Sequence, residues 1–151
     1  MSRLRRVLCA FLILQVGHPL AQDAVALPPV VVYSTIPCLA CTDWADRLRQ
    51  HGFVVTLEEK HLTDMPRLKR WLNVPSQFES VQTARVASYF VEGLVPVDDI
   101  LRLLKEKPAA RGLAASNPAG NGPHVDDSGQ QAIRVMLVGH DGHVSGYART
   151  P

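Results

Sequence analysis

Two cysteines three residues apart, Cys38 and Cys41, are the side chains in this sequence best suited to chemistry. Where such a pair opens a helix, both sulfurs share one face, close enough to form a disulfide or to chelate one soft metal ion. The unpaired N–H groups and positive dipole end of a helix start also favour thiolate over thiol. Nearby, Arg47 works in the same direction, while Asp43 and Asp46 work against it. Leu39 and Ala40, between the cysteines, offer no chemistry. The plain alternative is an inert, stabilising disulfide.

The elements that must position this pair are legible on either side of it. Val30 to Ser34 is apolar at nearly every position, as in a buried central strand. After Ile36-Pro37 the spacing predicts a helix from about Leu39 to Gln50, with Cys41, Trp44, Ala45 and Leu48 on one stripe and Gly52 as its stop. Phe53 to Glu58 reads as a second strand, parallel to the first because a helix joins them.

The chain begins differently. Arg3, Arg5 and Arg6 precede an apolar run from Val7 to Val16 that is too short to span a bilayer comfortably, the pattern of a secretory signal peptide occupying residues 1–26. Cleavage after Ala21 and cleavage after Ala26 both fit, and Cys9 reads as filling in the apolar run. The expected location is periplasmic or secreted, with no membrane attachment once the leader is removed. Loss of residues 1–21 takes three of the 16 basic residues and none of the 14 acidic ones, leaving 13 against 14 and a net charge of −1. The mature chain therefore lacks a nucleic-acid footprint. It is long enough for one domain, 27–151, and holds two cysteines in an oxidising context.

Further along, Thr63 can cap a second helix with Met65, Leu68, Trp71 and Leu72 on its buried side, ending at Asn73 before Pro75. Thr83 to Glu92 reads as one or two strands with a tight turn near Ala87-Ser88. Pro96 and the acids Asp98 and Asp99 open a third helix with Val97, Ile100, Leu101 and Leu104 on one stripe, stopped by Pro108. Residues 108–130, rich in Gly, Pro, Asn and Ala, read as a surface loop. A hairpin over 132–148 turns at Asp141-Gly142. The fold class is α/β, a thioredoxin-like β-α-β-α-β-β-α domain with a C-terminal β-hairpin, and the CxxC lies where such domains carry theirs.

Several strings resemble a family of small exported, copper-associated proteins catalogued as domain of unknown function four hundred and eleven. Its members look like YxSPxCGCCxxW where this chain reads Tyr33 to Trp44. Leu72-Asn73-Val74-Pro75 is similar to LGVP, Thr83-Ala84 to the end of SCHTA, and Val91-Glu92-Gly93 with Val95-Pro96 to VEGHVP; Gly146-Tyr147-Ala148 matches near the end. The resemblance implies a metal-binding role in a CxxC, thioredoxin-like frame. Here Ala40 replaces the middle cysteine of CGCC, Val81 and Gln82 replace the Cys-His of SCHTA, and Leu94 replaces the His of VEGHVP. In the stretch resembling GMPxGSPGM, Asn117 and His124 stand where methionines would. The implied ligand set is Cys38, Cys41 and His124, and the implied ion is Cu(I) or another soft metal.

Other residues carry less. His140 and His143 flank the hairpin turn with no sulfur or carboxylate cluster beside them and read as solvated; His51 and His61 show no ligand spacing. Trp44 and Trp71 read as core. Three functions follow. The first is a metal-binding protein whose partners are a metal ion or a metal-handling protein. The second is a thiol–disulfide oxidoreductase in which Cys38 attacks and Cys41 resolves. Such an enzyme normally has a cis-proline just before the third strand, and Val81-Gln82-Thr83 contains none. The third is a non-catalytic binding module with a structural disulfide.

Overall fold

The computed structural model describes residues 26–35, 38–116 and 134–147. His124, and all of the leader except Ala26, lie outside the described residues.

The described residues open with β1 (Val30–Ser34), α1 (Leu39–Gln50) and β2 (Val55–Glu59). This β-α-β unit makes β1 and β2 parallel, Val30 opposite Val55 and Ser34 opposite Glu59. On α1 the buried residues are Cys41, Trp44, Ala45 and Leu48, the stripe that the apolar spacing dictates. Gly52, at φ 89°, supplies the left-handed turn after the helix.

Next come α2 (Met65–Trp71), a 3-10 turn at Ser76–Phe78, and the antiparallel strands β3 (Gln82–Val86) and β4 (Tyr89–Glu92). Ala87, at φ 50°, lies in the tight turn between those strands. α3 (Val97–Glu106) follows, with Asp98 and Asp99 in its first turn, where they oppose the positive dipole end. The last strands are β5 (Ala110–Ser116), β6 (Arg134–Gly139) and β7 (Val144–Gly146). Among the described residues the strands form one mixed sheet in the order β2-β1-β3-β4-β5-β6-β7. The α/β class and the β-α-β-α-β-β-α order are present, and the hairpin of β6 and β7 extends the sheet.

Alternation along the strands assigns the helices to faces. Val30, Val32, Ala84, Val86 and Val91 pack with Trp44 and Leu48 of α1 and with Ile100 and Leu103 of α3. The alternate residues Thr83 and Glu92 instead meet Lys69 of α2. On this second side Phe90, Ala114 and Val138 pack with Val74. The sheet is thus covered by α1 and α3 on one face and by α2 with its following turn on the other.

Three expectations need correction. Ala110–Ser116 is a strand between β4 and β6, not part of a surface loop. Its small residues look like loop composition, yet at Gly112 they permit close strand approach: a Cβ there would lie 2.1 Å from the Phe90 carbonyl oxygen. Trp71 is 65% exposed instead of buried. The buried residues of α2 are Met65 and Lys69, and Trp71 projects roughly 140° away from the middle of that stripe at 100° per residue. The cap position of α2 is Asp64, not Thr63, and its side chain makes no capping bond.

Candidate functional site

Strand direction determines which loops meet. β1, β2, β4 and β5 are mutually parallel and β3 runs against them, as the pairings of Ser34 with Gln82, Thr83 with Glu92 and Glu92 with Ala114 show. The carboxyl ends of β1, β4 and β5 and the amino end of β3 therefore share one end of the sheet. The β1–α1 junction places Cys38 and Cys41 there, beside the segments that carry Val81, Gln82 and Leu94.

Cys38 is the N-cap of α1. Its sulfur accepts a hydrogen bond from the Cys41 N–H at 3.2 Å, and its carbonyl accepts from the N–H groups of Cys41 and Thr42, each at 3.2 Å. The orphan donors of the first turn are thus directed at the cysteine. The two sulfurs form a disulfide, with the Cα atoms 5.3 Å apart. Cys38 is partly exposed, whereas Cys41 is 1% exposed. This asymmetry leaves one sulfur open to a reactant from solvent and shields the other.

The neighbouring loops are fixed by two contacts. From α1, the Trp44 indole N–H donates to the Val95 carbonyl at 2.8 Å, tying the cysteine helix to the loop after β4. Beneath the Ser80–Gln82 segment, Glu92 accepts from the Ser80 N–H at 2.6 Å, from the Ser80 hydroxyl at 3.0 Å and from the Thr83 hydroxyl at 2.7 Å. Lys69 bonds both Glu92 and Thr83. Sequence reasoning missed this network. Its signal was a lysine four residues after Met65 on the sheet-facing stripe of α2 and a glutamate ending an otherwise apolar strand.

The rim of the site is apolar. Leu39, Val81 and Leu94 are 83%, 70% and 37% exposed, so two of the positions that replace potential ligands, Val81 and Leu94, present hydrocarbon to water beside Leu39. Gln82 is 2% exposed, and its side-chain amide nitrogen has no hydrogen-bond partner among the described residues.

No cluster of three or more His, Cys, Asp or Glu side chains suited to a metal exists among the described residues. What the fold brings together is a two-sulfur set, which in the dithiol form suits a soft, low-coordinate ion and not a tetrahedral zinc site. His140 and His143 are exposed at the β6–β7 turn, and His51 and His61 are exposed as well. The His51 ring nitrogen Nδ1 lies 2.8 Å from the Arg47 carbonyl at the end of α1. Among the described residues no helix is long and apolar enough to cross a membrane.

Comparison with known proteins agrees with this frame. Residues 78–121 match the model of a family described as "Protein of unknown function, DUF411". Two solved structures are similar over most of the chain, forms 1 and 2 of a protein described as copper resistance protein copG. Each is 30% identical and covers 83% of this chain, with 98% and 99% of their own chains matched and TM-scores of 0.67 and 0.65. No curated protein matches. With the shared strings spread from the cysteine junction to the β5 region and the likeness spanning nearly the whole of these relatives, the chain belongs to the DUF411 family.

Proposed function

We propose that this protein is an exported, small metal-binding protein that holds one soft ion such as Cu(I) through Cys38 and Cys41 in their reduced form. The observation that carries the reading is the placing of both sulfurs at the first turn of α1, in a chain similar to copper resistance proteins over nearly their full length. Binding requires the dithiol: two electrons and two protons open the disulfide, and the thiols then lose protons as the metal binds. His124 supplies a third donor in this proposal. β5, which precedes its segment, ends at the same end of the sheet as the cysteine pair. The apolar rim excludes water from a site with few ligands, a setting that favours a soft monovalent ion over harder, more hydrated ones.

A second reading rests on the exposure difference between the cysteines. A partly exposed Cys38 and a buried Cys41 are what a thiol–disulfide oxidoreductase needs for attack and resolution. Against it, Val81 occupies the position before β3 where such an enzyme carries proline. Anaerobic Cu(I) titration of the reduced protein, run beside an insulin-reduction assay, separates the two. One ion per chain with little insulin reduction supports metal binding. No copper binding with robust reduction overturns it, and failure in both assays leaves a binding module with a structural disulfide.

A further inference from the structure

On the cysteine face of the sheet, one buried side chain has a donor with no acceptor. Gln82 is 2% exposed, and its amide nitrogen has no hydrogen-bond partner among the described residues. Its backbone is held on both sides: the carbonyl accepts from the Gly93 N–H and from the Ser80 hydroxyl, each at 2.9 Å. Burying an amide N–H without an acceptor costs the hydration it has lost, and that cost is recovered in any state that supplies an acceptor.

Register and helix geometry locate the acceptor. Gln82 pairs with Ser34, the last residue of β1, and alternates with Thr83, which meets α2. It therefore shares the α1 face with Ala84 and Val86, which pack in one cluster with Trp44 and Leu48. Cys41 lies on the same buried stripe of α1 as Trp44 and Leu48, one turn nearer the start of the helix. Because α1 runs back over the strand that leads into it, that first turn covers the end of β1, where Ser34 and Gln82 lie. The step from Trp44 to Cys41 moves about 4.5 Å toward this end, and the step from Ala84 to Gln82 about 6.6 Å. Of the two sulfurs, Cys38 Sγ already receives the Cys41 N–H at 3.2 Å, whereas Cys41 is 1% exposed and its sulfur accepts no bond among the described residues.

We propose that Gln82 is a positioning residue for the reduced pair: once a thiol reductant opens the disulfide, its side-chain N–H donates to Cys41 Sγ and stabilises the dithiol form. Two reductant thiols become a disulfide, and their two electrons and two protons convert the Cys38–Cys41 bond into two thiols. A reduced sulfur accepts better than a disulfide sulfur, most strongly as a thiolate, so the bond is gained on reduction. The inference deepens the metal-binding reading, which requires that reduced form; its test is run without metal, so the two can fail separately.

Gln82→Met keeps the shape of the side chain and removes the donor. In a metal-free glutathione redox buffer, its equilibrium constant for reduction should fall about tenfold, as for loss of one buried hydrogen bond, a potential about 30 mV more negative. Thermal melts give a readout that a purely structural role would not move. Oxidised Gln82→Met should melt at or above the oxidised parent, because an unpaired donor is gone, and reduced Gln82→Met below the reduced parent. Gln82→Leu serves the same comparisons if the methionine variant does not fold. An unchanged equilibrium constant, equal melting shifts in both redox states, or loss of folding by both oxidised variants would each overturn the proposal. A shifted constant in a protein that binds no Cu(I) would support the role of Gln82 and overturn the metal-binding reading alone.

Discussion

The Lys69 ammonium lies against the Glu92 carboxylate with the two side chains 4% and 0% exposed, joining α2 to the end of β4 directly beneath the Ser80–Gln82 segment. Desolvation of both charges is offset by their attraction and by the bonds from Ser80 and Thr83 to the same carboxylate. Removing one partner strands the other in the core. Lys69→Met or Glu92→Leu alone should each cost roughly 3–5 kcal/mol in urea unfolding, and the double substitution less than either. Additive losses in the double variant would show that the pair is not energetically coupled.

For the cysteine pair, free-thiol counts of the protein with and without reductant should differ by two, since Cys38 and Cys41 are bonded here. Cys38→Ser and Cys41→Ser should each abolish Cu(I) binding, because one sulfur cannot chelate. His124→Ala should weaken it only in part. Retention of tight binding by either serine variant would relocate the site.

Gly112 tests the strand that composition disguised. A methyl group there meets the Phe90 backbone at 2.1 Å, where no side-chain rotation can relieve it, so Gly112→Ala should separate β4 from β5. The expected loss is about 3 kcal/mol or more, at the upper end for overpacking. At Gly146 a Cβ meets nothing within 4 Å, and Gly146→Ala should stay within about 0.5 kcal/mol of the parent. Equal unfolding midpoints for the two variants would contradict the observed pairing.

Tyr147 sets an alkaline limit. Burial first, and then its 2.8 Å hydrogen bond to Glu106, raise the phenol above its ordinary value of 10.0, while Arg102 stacked 3.5 Å from the ring centre acts in the opposite direction. Above pH 10.0 the folded chain keeps a proton that the unfolded chain has lost. The stabilisation is therefore complete below that pH and declines as pH rises further. Unfolding midpoints measured from pH 7 to 11 should fall less steeply for Tyr147→Phe than for the parent above pH 10; parallel curves would remove Tyr147 as the cause.

What the sequence determined by itself was the local machinery. Apolar periodicity gave α1 its bounds and buried stripe, the run Val30 to Ser34 its central strand, and Cys38 with Cys41 their place at a helix start, because each depends on neighbours within a turn or two. Only the tertiary structure decided the rest. Ala110–Ser116 became a strand because β4 and β6 pair with it and Gly112 admits the close approach, which no local propensity encodes. Lys69 turned inward because a carboxylate 23 residues away waits on the facing strand. That left Trp71 on the outside of α2, although its hydrophobicity pointed to the core. The placing of Val81, Gln82 and Leu94 at the cysteine end of the sheet follows from strand direction, a property of the assembled sheet and of no single segment.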